Sequence, residues 1–476
     1  MEPWQLTLVE SAAEQASGRL SSAELVGSVL DRIEAVDARV GAFRVVLGEE
    51  AMAQARACDT ERSAGRARGP LHGLPVAVKD VIDVAGQATT GSSRAYADRV
   101  AQQDAHCVTR LRAAGAVIVG KTETHELALG VITPTTRNSR DLSRIPGGSS
   151  GGSGAAVAAG TGALALGTDT GGSVRIPASL CGVVGLKPSY GRVSNSGLMP
   201  TSWSLDTIGP ITRDVPDAAL ALAVLAGHDS HDPVSLDLPA DDYSAGLDRG
   251  VDGLVLGLAT GFFAARVQPA VTEAVTAAAE ALARCGATIR PVELPAGEYT
   301  VAFSLARPEA AAVHARVLRE RPHLLQPSTR EALEQGSLVL AVGYVDALRA
   351  RARVAAMWRT AFDGLDAVLL PATPATAAPA ADPVVRWDDG VVETASACYG
   401  RFNRAANLTG QPALSIPCGH DRDGLPIGLQ VIGRPFDEAT LLRIGRAYEI
   451  ARGWPVRPGV GLAAPRPSPE SMPGIE

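Results

Sequence analysis

The stretch from Gly147 to Ser173, GGSSGGSGAAVAAGTGALALGTDTGGS, constrains this chain more than any other. It holds two glycine-serine clusters, GGSSGGS at 147–153 and DTGGS at 169–173, joined by alanine, glycine, valine, leucine and two threonines. Residues this small let backbones approach closely, and glycine has no Cβ to shield its N–H from a ligand. Glycine-serine runs are ordinarily flexible linkers. That reading fits poorly here, because the first cluster opens into a small-residue helix and the following LALGT reads as a buried strand. The weakly polar run 154–167 spans 14 residues, short of the roughly 20 that a membrane helix needs. A close-packed buried helix is expected there.

Helices and strands alternate around this stretch. Residues 8–60 read as helical, with Leu25, Val26, Val29, Leu30 and Ile33 at helical spacing and Ser22 as a candidate N-cap. PVAVKDVIDV from Pro75 is β-branched and bounded by Gly73 and Gly86, a strand signature. A helix over 105–114, the strand AVIVG, the small-residue helix and LALGT follow, then a helix over 216–226 and a polar loop at 228–250. From 251 the alternation resumes with VLGLAT, AVTEAVTAAAEALARCG and TIRPVEL. Residues 371–390 are rich in proline and alanine and read as irregular; ALSIPCG, GLPIGLQVIG and EATLLRIGRAYEIARG read strand, strand, helix. This pattern predicts an α/β fold, one large domain over 1–463 with a central mixed sheet covered by helices on both faces. A proline-rich tail is expected at 464–476.

Several function classes fall away. A net charge of −7 argues against a nucleic-acid binder, which normally presents a basic face to phosphates. The six cysteines form no CxxC pair and suit reduced, cytosolic side chains. MEPWQLTLVESAAEQ lacks a basic segment followed by an apolar one, so a cytoplasmic protein is expected. No HExxH or comparable metal cluster occurs, and the eight histidines are scattered, so neither a metallohydrolase nor a serine–histidine hydrolase is expected.

Four motifs remain. GAVIVGKT at 115–122 matches the phosphate-binding pattern GxxxxGK[ST], but its middle residues are themselves the strand, and no loop is left to surround a phosphate. GGSSGGS contains GxSxG, yet the preceding RDLSRIP is too polar to be the strand a nucleophile elbow needs. DTGGS offers successive backbone N–H groups that can hold an oxyanion, with Ser173 at its end; a plain turn is the alternative. Lys79 stands on an apolar strand. Burial lowers an ammonium pKa, so such a lysine can serve as a base; an ion pair with Asp80 or Asp83, or snorkelling to the surface, is the alternative.

Taken in order, Lys79, GGSSGGS and DTGGS resemble the amidase signature family. LHGLPVAVKD at 71–80, AGAVIVGKTE at 114–123, CGVVGLKPSYGRVS at 181–194, LDTIGPITRD at 205–214 and GLPIGLQVIG at 424–433 extend the match over roughly residues 5–455, with a signature core at about 71–215. The resemblance implies a Ser–Ser–Lys triad without a cofactor or metal. By motif position, Ser173 would be the nucleophile that forms an acyl-enzyme. Ser149 would sit in a cis peptide and relay a proton, and Lys79 would be the base. The amides of Thr170, Gly171, Gly172 and Ser173 would form the oxyanion hole. Arg175 would order the loop. The expected activity is hydrolysis of a small carboxamide to an acid and ammonia or an amine, with neither nucleic acid nor membrane as partner. A homodimer and a small helper protein both stay open.

The family includes the glutaminase component of glutamyl-tRNA amidotransferase, and two departures set this chain apart from it. That component places an arginine on the helix after GYYDAYY; here the segment is GYVDALR at 343–349, and Ala355 and Ala356 fall near the expected place, with Arg353 and Arg359 close by. It also places an aspartate seven residues before the asparagine of NLAG; counting back from Asn407 gives Gly400. Arg404 is unexpected in its position and could face the substrate. Met199, Trp203 and Trp358 are candidate pocket residues, of which two or more are expected in the core. A stand-alone amidase is the favoured reading, the amidotransferase glutaminase its rival, and a catalytically silent scaffold the remaining alternative.

Overall fold

The computed structural model describes residues 1–239, 242–297 and 299–453; the expected tail at 464–476 lies outside them. Thirteen strands occur among these residues: β1 Phe43–Val46, β2 Pro75–Lys79, β3 Val117–Thr122, β4 Leu164–Asp169, β5 Val184–Lys187, β6 Thr207–Thr212, β7 Val255–Thr260, β8 Thr288–Glu293, β9 Ala367–Pro371, β10 Val384–Arg386, β11 Val392–Thr394, β12 Ala413–His420 and β13 Pro426–Gly433. Eleven build one sheet in the order β1-β3-β2-β4-β6-β5-β12-β13-β9-β7-β8, and β10 and β11 pair separately. The sheet is mixed. β3, β2 and β4 run parallel, as do β9, β7 and β8, and antiparallel pairings join the two zones. β12 and β13, late in the chain, insert between β5 and β9. The two ends of the chain are thereby locked into one sheet, which is why no linker divides the sequence.

Alternate strand residues enter different cores, as the period of two requires. Val76 and Val78 of β2, Ile118 of β3 and Leu164 and Leu166 of β4 join one cluster, with helices His106–Ala113, Val215–Leu225, Pro269–Arg284 and Glu438–Arg452. Ala77, Val117, Val119 and Ala165 face the opposite way, onto helices Ser22–Val40, Gly48–Ser63 and Gly151–Ala159. At the other end of the sheet Val368 and Leu370 of β9 pack with Phe402, Ala405 and Trp358. Both faces are covered by helices.

Two local readings are corrected. Ser21, not Ser22, caps the helix Ser22–Val40, because only Ser21 has glutamate at the third helical position. Its hydroxyl accepts from the Glu24 N–H at 3.1 Å while the Glu24 carboxylate takes the Ser21 N–H at 2.8 Å. Ser22 instead donates its N–H to Asp59 at 2.6 Å. Within the span read as helical, β1 forms the sheet edge just after Gly41 ends that helix at φ +62°; four residues are too short for periodicity to register. No described helix is long and apolar enough to cross a membrane.

Candidate active site

Lys79 is the last residue of β2, and Thr168 lies near the end of its parallel neighbour β4. Parallel pairing brings both side chains to the same end of the sheet, the carboxyl end where α/β proteins build sites. Lys79 has no exposed surface. Its Nζ donates to Ser149 Oγ at 2.8 Å and to Thr168 Oγ1 at 2.7 Å. Neither nearby aspartate pairs with it: Asp80 takes Lys121 at 3.1 Å and Asp83 takes Arg99 at 2.6 Å. Burial pushes the Lys79 ammonium down from 10.5 to about 7, against the opposing pull of Asp206 and Asp169.

Ser149 follows a cis peptide bond from Gly148. Its carbonyl accepts from the His125 N–H at 3.0 Å, Thr124 Oγ1 at 3.0 Å and Thr133 Oγ1 at 3.1 Å, which pins the loop from one side. Ser150 pins it from the other. Its hydroxyl donates to the Thr168 carbonyl at 3.1 Å and its N–H to the Ser173 carbonyl at 3.3 Å. The glycines explain how close the helix Gly151–Ala159 comes: a Cβ on Gly152 would lie 2.5 Å from the Glu123 carbonyl and 2.6 Å from that of Ala42. The two glycine-serine clusters, far from being linkers, are packed against each other.

Asp169 organises the turn that carries Ser173. Its carboxylate accepts from the Gly172 N–H at 2.7 Å, the Val174 N–H at 3.1 Å, Asn407 Nδ2 at 2.8 Å and Arg175 Nε and Nη2 at 2.9 and 2.8 Å. Burial alone would raise its pKa, but the Arg175 guanidinium overrides that and holds the carboxyl well below the usual range. Arg175 further donates to the Asn403 carbonyl, Gln430 Oε1 and Asn407 Oδ1, so it orders the loop. Ser173 is nearly buried, 6% exposed. Gly172 departs from the expectation of an oxyanion donor: its N–H is engaged by Asp169, and its contribution is conformational, at φ +120° with Asn403 Cβ 2.6 Å from where its own Cβ would be. Thr170 is tied through Oγ1 to Asp206 at 2.5 Å. Asp206 also accepts from the N–H groups of Thr201 and Ser202, and burial pushes it up to about 6.

Lys79, Ser149, Ser173, Thr170, Gly171 and Gly172 thus come together from two strand ends and two loops. Among the described residues no histidine side chain hydrogen-bonds any of the three triad candidates. Met199 and Trp358 are buried core residues, Trp358 donating to Tyr299 Oη at 2.9 Å, while Trp203 is exposed. The phosphate-loop match ends in β3, with Lys121 and Thr122 inside the strand. A cavity of about 940 Å³, lined by Arg144, Arg266, Trp387, Asp389 and Asp421, contains none of the site residues. Cys58, Glu61 and His72 bring ligand-type atoms within 4.8 Å of one another, but Glu61 is paired with Arg68 at 2.5 Å and the His72 ring with the Cys58 carbonyl at 2.9 Å.

Two residues of the site, Thr168 and Asp206, escape a reading by motif alone. Asp206 lies inside the matched segment LDTIGPITRD and Thr168 immediately precedes DTGGS, so their position in or beside the matched motifs was the available signal.

The Amidase family model matches residues 24–442. An amidase from Pseudomonas putida is 47% identical over 453 residues, covering 94% of this chain and 97% of that protein. A glutamyl-tRNA(Gln) amidotransferase chain from Moorella thermoacetica is 41% identical over 498 residues, covering 97% of this chain and 100% of that one. Among solved structures, one described as a vestigial protein complex that reveals the origins of an s-triazine catabolic enzyme superposes with a TM-score of 0.89 at 35% identity, covering 94% and 98% of the two chains.

Proposed function

This chain belongs to the amidase family and hydrolyses amide C–N bonds, and from that premise we propose that it acts through an acyl-enzyme on Ser173. The reading rests on one observation above all: Lys79 Nζ stands 2.8 Å from Ser149 Oγ, fully buried and, among the described residues, with no carboxylate bonded to it. A lysine so placed, with its ammonium pushed down to about 7, is neutral in a substantial fraction of molecules near pH 7 and can take a proton. In the proposed cycle the Ser173 hydroxyl attacks the scissile carbonyl as its proton passes to Ser149, whose own proton passes to Lys79. A hydroxyl suits this relay because it donates and accepts at once. The N–H groups of Thr170, Gly171 and Ser173 would receive the oxyanion, each donor contributing roughly 3 kcal/mol to the transition state. The leaving amine takes the proton from Lys79 by the same route. Water then attacks the acyl-enzyme and releases the acid.

The substrate we propose is a small carboxamide and the enzyme a stand-alone cytoplasmic one; six free cysteines, five of them buried, suit a reducing compartment. Gly400 stands where the amidotransferase glutaminase would present its aspartate, and Arg404 fills the space beside it, which speaks against recognition of a free amino acid. A helper protein or second copy would find apolar surface at Leu338, Leu340 and Val342, each at least 70% exposed. The test is ammonia and amine release by the purified chain over a panel of aliphatic, aryl and amino-acid amides including glutamine, beside Ser173→Ala. Turnover of simple amides that vanishes in the variant is expected; full activity in Ser173→Ala would overturn the assignment. Glutamine as sole substrate would restore the amidotransferase reading.

A further inference from the structure

Arg404 begins the helix Arg404–Thr409, which packs directly on the Ser173 loop. Asn407 Nδ2 donates to the Asp169 carbonyl at 3.0 Å, and a Cβ on Gly171 would touch Arg404 Cγ at 3.9 Å. The arginine stem therefore runs alongside the turn that carries Ser173. The side chain is only 7% exposed, yet its guanidinium is poorly served. Nη2 donates to the Ser396 carbonyl at 3.1 Å, and the group lies over the Phe303 ring, 4.2 Å from its centroid. Among the described residues no carboxylate pairs with it. The other deeply buried arginines differ. Arg175 has Asp169 and three further acceptors, and Arg213 has the carbonyls of Leu6, Trp4 and Gly162.

The surroundings sharpen the contrast. Burial pushes the Arg404 guanidinium down to about 10, and the charges that act on it, Arg401 and Arg307, are both positive and push the same way. Arg307 also lies over Phe303, at 5.1 Å. The absence of a side chain at Gly400 is what lets the guanidinium lie there, since a Cβ on Gly400 would begin 2.7 Å from Arg404 Nη2. A buried charge without a counter-charge is costly unless a ligand supplies one, and a planar guanidinium is matched best by a planar carboxylate.

We propose that Arg404 determines specificity by binding an anion on the substrate, so that the preferred substrate is an amide that also carries a free carboxylate. This deepens the function proposed above and rests on it. Arg404 takes no part in the proton transfers. It holds the far end of the substrate while the scissile carbonyl lies at Ser173.

The experiment compares amides matched except for the anion: succinamate with butyramide, glutaramate with valeramide, and adipamate with hexanamide. The wild type should favour the carboxylate member of at least one pair. Arg404→Gln should lower that preference, as the ratio of kcat/KM values, by about 30-fold or more, chiefly through KM. Arg404→Lys should retain part of it. Gly400→Asp should abolish it by a second route, giving the guanidinium an internal carboxylate. A merely structural role would lower both members of a pair alike. In parallel, binding of succinate, glutarate and adipate to Ser173→Ala is measured by calorimetry with and without Arg404→Gln. A preference unchanged in both Arg404→Gln and Gly400→Asp, or dicarboxylate binding indifferent to Arg404, would overturn the inference. Failure of Ser173 to react with a serine-directed phosphonate would overturn the proposed function instead.

Discussion

Arg175 grips the Asp169 carboxylate through both Nε and Nη2, at 2.9 and 2.8 Å, with neither side chain exposed to solvent. The pair sits six residues apart in sequence, one at each end of the turn that carries Ser173, and it sets the shape of that turn. Removing one partner of a buried pair strands the other, a loss of about 3–5 kcal/mol. Asp169→Asn is therefore expected to lower the melting temperature markedly and to abolish turnover. Arg175→Lys should do nearly as much, because a lysine cannot reach Asp169, Gln430 and the Asn403 carbonyl at once. Because Asp169 titrates below the usual carboxylate range, its contribution is complete above pH ~4 and lost only as the solution becomes strongly acidic. Thermal unfolding followed by circular dichroism across pH checks both points.

The state of Lys79 predicts the pH profile. With its ammonium pushed down to about 7, the neutral base accumulates as pH rises through that value. The kcat/KM profile should climb from pH ~5.5 and level off above about 8. Lys79→Arg cannot lose its proton in this range and should fall by roughly 10²–10⁴-fold. The same shift affects stability. Between the folded value of about 7 and the ordinary value of 10.5, the unfolded chain holds more protons, so this lysine's cost to the fold diminishes as pH rises. The stability gained in Lys79→Met relative to wild type should accordingly be larger at pH ~6.5 than at pH ~9.5, as read by denaturant titration.

Thr168 supplies the second acceptor for Lys79 Nζ, at 2.7 Å. Thr168→Val keeps the shape and removes the hydroxyl. Losing an acceptor for the charged form favours the neutral one, so the acid limb of the kcat/KM profile should move to lower pH while the plateau drops about tenfold through loss of orientation. A profile that drops without moving would contradict this assignment.

The adjacent glycines of the turn should respond differently to alanine. Gly172 adopts φ +120°, and a Cβ there would collide with Asn403 at 2.6 Å; Gly171 has only Arg404 Cγ at 3.9 Å. Gly172→Ala should cost about 2–4 kcal/mol and disorder the site. Gly171→Ala should stay within about 1 kcal/mol of wild type. Chemical denaturation of the two variants side by side decides.

Much of this protein is legible in its sequence. The alternation of helical and strand periodicities indicates an α/β fold, and the order Lys79, GGSSGGS, DTGGS marks the site, because both depend on residue types and spacing along the chain. Capping is less legible: Ser21 and Ser22 are both adequate by type, and only the glutamate at the third helical position separates them. What tertiary structure decided is partnership. Asp169 meets Asn407 across 238 positions, Arg175 meets Gln430 across 255, and Thr168 meets Lys79 across 89. The first two follow from a sheet order in which β12 and β13 enter beside β5, and the third from the parallel pairing of β2 with β4, an order that local propensity does not encode. Whether Lys79 is a neutral base or one half of an ion pair was likewise open in the sequence, where Asp80 and Asp83 lie close by. The fold gave those aspartates to Lys121 and Arg99 and left Lys79 fully buried against two hydroxyls. Its low pKa follows from desolvation, a property of the packed site and not of the residue.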